Sequence, residues 1–124
     1  PVIPSQMLKG SLEGCVLAII GMKETYGYEI SEQLEAHGFG RVAEGTIYPL
    51  LLRLEKGGLI SATYKASELG PKRKYYVLTE KGGLALEEFI ASYAELTSAV
   101  EHLLRAVKGG ELNEQESQAA AAGE

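Results

Sequence analysis

The sequence predicts a mainly α-helical (α+β) fold: a winged helix-turn-helix followed by a long C-terminal dimerisation helix. Three observations predict it. Apolar residues recur at the helical period of about 3.6 through three segments between residues 11 and 58, then alternate at a period of two in runs between 59 and 78. Charge is unevenly placed: residues 41–81 hold eight Lys/Arg against four Glu, while the remainder holds four against thirteen, so a segment of +4 stands inside a chain of net −5. A local basic face matters more to an anionic partner than the total does. Finally, Leu86, Phe89, Tyr93, Leu96, Val100, Leu103 and Val107 follow one another at alternating spacings of three and four, a heptad seam.

Each element follows in order. Ser11–Met22 is apolar nearly all round, so it predicts a helix buried on several sides. A second helix has Thr25 as N-cap, a stripe of Tyr28, Ile30 and Leu34, and Gly38 as its stop. The third is "AEGTIYPLLLRLEKGGLI", residues 43–60, with Ile47, Leu50, Leu51, Leu54 and Leu59 near one side and Gly57-Gly58 ending it. Next, "LISATYKA" alternates, "SELGPK" is a turn, and "RKYYVL" is rich in β-formers, giving a hairpin with a basic, flexible tip. Thr79 caps a final helix that Gly109-Gly110 ends, roughly 28 residues spanning about 42 Å, too long for so small a domain to cover alone. The expected organisation is a DNA-binding domain over 8–78, a dimerisation helix over 79–108 and a disordered tail over 109–124.

Pro49 interrupts the third helix, where an interior proline costs about 3 kcal/mol. If the helix starts near Ala43-Glu44, Pro49 lies in its second turn and removes the bond to the Gly45 carbonyl. If Thr46 is the N-cap, Pro49 costs no bond. Either way it marks the N-terminal end, where a recognition helix offers free N–H groups to phosphate and side chains to base edges.

The chain has 124 residues, 45% of them apolar and 23% charged, which suits one soluble domain. Its longest strongly apolar run, Cys15 to Ile20, is too short to cross a bilayer, and no signal peptide is visible. Pro1 is not a translational start, and Met7 is one candidate for it. Cys15 is the only cysteine, so no intrachain disulfide forms, and a reducing, cytoplasmic setting is expected. Neither His37 nor His102 has a second ligand at metal spacing, so neither a metal nor a cofactor is expected. No Walker loop, dinucleotide fingerprint or nucleophile elbow is present, and the chain has no Asp, which argues against an enzyme.

"LEGCVLAII" (12–20), "YGYEISEQLE" (26–35), "EGTIYPLLLRLEKGGLI" (44–60) and "KRKYYVLTEKG" (72–82) together resemble the PadR family of bacterial transcriptional regulators, over about Leu8 to Val107. The single helix after the wing is similar to the family's small subgroup. The resemblance implies a homodimeric repressor that binds double-stranded operator DNA and is released by a small aromatic or amphipathic effector. Some drug-responsive members stack a ligand on a tryptophan at the dimer centre. This chain has no Trp, and Phe89 and Tyr93 are the only aromatics on its long helix.

The expected DNA-contacting residues are Tyr28, Thr46, Tyr48, Pro49, Arg53, Lys72, Arg73 and Lys74. For Tyr48 the competing reading is half-buried core, for Arg53 a solvated pair with Glu55, and for the Lys72–Lys74 run a solvated face. Tyr26 and Tyr28 flank Gly27, one packing inside and the other reaching phosphate. The expected dimer interface is Leu12, Cys15, Phe89, Tyr93, Leu96, Val100 and Leu103. The alternative function is a winged-helix protein–protein module, which needs no basic wing.

Overall fold

Short apolar helices that cannot bury their faces alone collapse onto one another and onto a small sheet. A computed structural model describes residues 3–123, with side chains as far as residue 110. The order is α1 (Ser5–Leu8), α2 (Leu12–Met22), β1 (Thr25–Tyr26), α3 (Gly27–Ala36), α4 (Glu44–Lys56), β2 (Ile60–Ser67), β3 (Gly70–Leu78) and α5 (Glu80–Gly123). The chain divides into two units, Pro1–Ile90 and Ala91–Glu124.

The first unit holds the core. Val16, Leu17, Ile19 and Ile20 of α2 meet Ile30 and Leu34 of α3 and Ile47, Leu50, Leu51 and Leu54 of α4, with Ile60 and Tyr76 from the sheet. Apolar burial at roughly 25 cal/mol per Å² makes this cluster the main favourable term. Both α3 and α4 end the same way. Gly38 and Gly58 adopt positive φ (95° and 75°), and the Phe39 and Leu59 N–H groups reach back to the Leu34 and Leu54 carbonyls at 3.0 Å each. These are Schellman caps, which place a glycine where other residues are strained. Thr79 caps α5 as expected: its hydroxyl accepts from the Gly82 N–H at 3.0 Å and donates to the Gly58 carbonyl at 2.6 Å. A Cβ on Gly82 would overlap the Leu59 carbonyl, so that glycine permits the close approach.

Several expectations are corrected. The wing is a three-stranded antiparallel sheet in the order β1-β3-β2, not a two-stranded hairpin. Two-residue β1 was missed because so short an element leaves no periodicity. Thr25 is not an N-cap; it lies in β1, paired with Tyr76, and its buried hydroxyl donates to Glu29 Oε1 at 2.9 Å. The N-cap of α3 is Tyr26, with no side-chain cap. Tyr28 does not join the inner stripe of α3 and is exposed. The strands are longer than expected, so Lys72, Arg73 and Lys74 lie within β3 and not at a flexible tip. The tip is Glu68-Leu69, which is not basic. Gly109-Gly110 does not end the last helix, and both lie inside α5. The tail expected to be disordered from residue 109 instead continues α5 to Gly123, and its side chains are described only as far as residue 110.

In the second unit, Tyr93, Leu96, Val100, Leu103 and Val107 are all exposed; Leu96, for example, is 58% accessible. Among the described residues, no helix is long and apolar enough to cross a membrane, and no three His, Cys, Asp or Glu are placed to hold a metal ion.

Candidate nucleic-acid interface

The inner face of α4 is filled by Ile47, Leu50, Leu51 and Leu54, all buried. Its opposite face is therefore free. Gly45, Tyr48, Pro49, Leu52 and Lys56 are exposed there, on neighbouring positions of successive turns. Of the two starts considered for this helix, the earlier one is found: Ala43 is the N-cap and Glu44 the first helical residue. Thr46 is in the first turn, its N–H donating to the Ala43 carbonyl at 2.9 Å. Pro49 then deprives the Gly45 carbonyl of its helical donor. Both residues are exposed.

Towards the wing, α4 borders a cleft of about 360 Å³ lined by Tyr48 and Leu52, by Lys72, Arg73 and Lys74, and by Tyr26, Gly27 and Tyr76. Tyr48 lies across Gly27: a Cβ at that glycine would come within 3.0 Å of the ring. Tyr48 is thus half-buried against Gly27, with 47% of the residue still exposed. Arg73 covers the Tyr26 ring at 4.6 Å, and Tyr26 meets Tyr75 edge-on at 5.3 Å. Among the described residues, neither Lys72 nor Arg73 has a carboxylate partner.

Lys74 differs from its two neighbours. Its Nζ is 2.7 Å from Glu55 Oε1, with 26% and 35% of the two side chains exposed. It also lies 5.6 Å from the Tyr76 ring centroid and 5.9 Å from that of Tyr64. The hydrogen bond to Glu55 raises its pKa above the ordinary lysine value. Burial pushes the Tyr76 hydroxyl up, against the pull of Lys74. Lys74 is a link between wing and helix.

The other flank of α4 carries Thr46, Pro49 and Arg53, which border a groove of about 1070 Å³ with Leu8, Leu12, Phe39 and Arg41. Arg53 Nε is 3.3 Å from Glu13 Oε1, not paired with Glu55, and both side chains are at least half exposed. Such a pair is worth roughly 0–1 kcal/mol. Thus the eight expected DNA contacts do not form one cluster: Tyr48 and the three wing cations share the cleft, Thr46, Pro49 and Arg53 share the groove, and Tyr28 stands exposed in the first turn of α3. Sequence reasoning missed Leu52, which is 51% exposed on this helix. The signal was present, since "LLL" at 50–52 cannot place all three residues on one helical face.

The expected dimer residues are also divided. Leu12 belongs to the chain's own core. Cys15 is half-buried beside that core, and burial raises its thiol pKa. Phe89 lies against Gly14, where a Cβ would overlap its ring. Tyr93, Leu96, Val100 and Leu103 are exposed.

The family model of the transcriptional regulator PadR-like family matches residues 16–88. The chain belongs to that family. A PadR-like transcriptional regulator from Bacillus cereus strain ATCC 14579 superposes with a TM-score of 0.73 at 58% identity, covering 80% of this chain and 96% of that one. A transcriptional regulator from Mycobacterium tuberculosis, Rv3488, is 36% identical over 88 residues, 71% of this chain and 74% of its own. PadR of Bacillus subtilis, solved in complex with operator DNA, superposes with a TM-score of 0.60 at 25% identity, over 65% of this chain and 47% of that one. PadR-like proteins are DNA-binding transcriptional regulators and not enzymes, and the winged helix with a long C-terminal helix found here is their architecture.

Proposed function

We propose that this PadR-like protein is a sequence-specific repressor that binds double-stranded operator DNA as a cytoplasmic homodimer and is released by a small aromatic or amphipathic effector. The observation that carries the DNA reading is the cleft in which Tyr48 and Leu52 of α4 face Lys72 and Arg73 of β3. A helix with a free outer face supplies base contacts, and a strand with unpaired cations beside it supplies phosphate contacts. The Bacillus subtilis relative bound to operator DNA supports the same partner. The exposed seam of Leu96, Val100 and Leu103 supports the homodimer. The groove beside Thr46 and Pro49 offers Leu8 and Phe39 as apolar walls for an effector. The alternative, a protein–protein module, has no use for Lys72 and Arg73 beside a recognition helix.

The test is titration of operator and scrambled duplexes at several salt concentrations. Lys72→Ala and Arg73→Ala should weaken binding to both duplexes and flatten the log–log salt slope by about one unit for each phosphate no longer neutralised. Thr46→Ala and Tyr48→Ala should lower the preference for operator with little change in slope, by roughly 1–3 kcal/mol for each base edge no longer read. Full affinity and slope in the Lys72/Arg73 double variant would remove the wing from the interface.

A further inference from the structure

Along the exposed face of α4, three successive positions ahead of Lys56 carry no hydrogen-bonding side chain: Gly45 and Pro49 border the groove, and Leu52 borders the cleft. All three are exposed. Of the polar groups, Thr46 and Arg53 lie towards the groove and Tyr48 towards the wing. Leu52 is not surplus core, because the inner face is already filled. It lines the cleft that holds Lys72, Arg73 and Lys74, so an apolar group of four carbons shares that cleft with the cations of β3.

In the major groove, guanine, adenine and cytosine show hydrogen-bonding atoms, which an aliphatic side chain cannot satisfy. Thymine alone adds a methyl group. An aliphatic residue pressed against any other base edge would leave donors or acceptors without partners, which is costly. The cations of β3 hold the strip against DNA. Gly45, with nothing within 4 Å of where its Cβ would be, lets the helix backbone come close.

We infer that Leu52 reads the 5-methyl group of a thymine, so that the strip Gly45–Pro49–Leu52 selects thymine-containing steps by apolar contact. This rests on the DNA-binding reading above. The purified protein is used to select its preferred duplex from a random pool. Each thymine of the selected duplex is then replaced in turn by deoxyuridine, which removes only the methyl. Wild type should lose affinity about fourfold at one or more positions, the factor that corresponds to about 0.8 kcal/mol for a buried methyl-sized group. Leu52→Ala should bind the thymine duplex about that much more weakly and no longer distinguish deoxyuridine there, while Leu52→Met should keep the distinction. Because Leu52 is exposed, Leu52→Ala should melt with wild type, and matching melts show that the weaker binding does not come from a weaker fold. If wild type selects a duplex yet ignores every deoxyuridine, or if Leu52→Ala remains equally sensitive, the inference is overturned and DNA binding stands. A change in sedimentation on Leu52→Ala would make Leu52 a contact between copies and overturn it too. If no duplex is enriched at all, the DNA-binding reading itself has failed.

Discussion

Lys74 on the last strand of the wing reaches across to Glu55 on α4, Nζ to Oε1 at 2.7 Å, and so ties the strand that carries Lys72 and Arg73 to the helix that carries Tyr48 and Leu52. The pair's contribution to folding should be small, about 0.2–1 kcal/mol, because both groups retain solvent. Its contribution to recognition should be larger. Glu55→Gln and Lys74→Ala should each lower the ratio of operator to random binding, with the double variant no worse than either single one. Neither should change the salt slope by a full unit, since Lys74 is engaged with Glu55 and not with phosphate. Lys74→Arg should restore most of the ratio. The hydrogen bond raises the lysine pKa. The pair's stabilisation is therefore fully present at neutral pH and is lost only as pH rises through the raised value. Melting curves of wild type and Glu55→Gln should differ by a constant amount between pH 6 and about 9 and converge at higher pH.

The exposed seam of the last helix gives a second test. Leu96 and Val100 are 58% and 45% accessible in the single chain, on a heptad pattern that includes Leu103 and Val107. Single Leu residues on a surface are ordinary, but a continuous apolar stripe marks an interface. Wild type should sediment at about twice the 13.3 kDa chain mass at micromolar concentration. Leu96→Glu with Val100→Glu would place like charges in the seam and should give a monomer or an unfolded chain. A folded wild-type monomer would rule out the homodimer.

The helices were legible in the sequence because their periods are long enough to count: α2, α4 and the start of α5 at Thr79 lie where apolar spacing and capping residues place them. What was not legible depends on contacts made by distant parts of the chain. Two-residue β1 exists because Thr25 and Tyr26 find Tyr76 and Tyr75 some fifty positions later. The same pairing draws Thr25 out of a cap. Lys72, Arg73 and Lys74 look equivalent in sequence, yet alternation along β3 turns Lys74 towards Glu55 and leaves Arg73 over Tyr26. The split of α4's residues between a cleft and a groove likewise depends on which elements flank it. Gly109-Gly110 misled because a glycine pair is a stop signal only where a cap can form, and nothing local requires one there.

Two glycines should respond in opposite senses. Gly58 has φ of 75° in the cap of α4. Gly58→Ala should cost about 1–2 kcal/mol through left-handed strain. Gly45 is helical, exposed and unobstructed. Gly45→Ala should therefore leave stability unchanged or raise it by up to about 1 kcal/mol. Its Cβ would nevertheless stand where the helix approaches DNA, so operator affinity should fall. Thermal melts with duplex titrations on both variants separate the two effects. A Gly45→Ala protein that is more stable and binds equally well would show that no close approach occurs there.

Pro49 offers the last test. It lies six residues into α4, on the exposed side, and removes the N–H that would satisfy the Gly45 carbonyl. A proline there destabilises the fold, so its presence points to a use for what it frees. Pro49→Ala restores the donor and lets the carbonyl close into the helix. The variant should be more stable by about 1–3 kcal/mol, visible as a higher melting temperature and urea midpoint with an unchanged urea dependence. If the open Gly45 carbonyl, or the local bend that accompanies it, contributes to the fit against DNA, the same variant should bind operator more weakly and discriminate less against random sequence, with its salt slope intact because no cation has moved. The double variant Gly45→Ala/Pro49→Ala then gives a regular helix across the whole N-terminal end. It should be the most stable form and the weakest specific binder. If it matched wild type in discrimination, the broken hydrogen bond would have no part in recognition, and Thr46, Tyr48 and Leu52 would have to account for specificity from an ordinary helix.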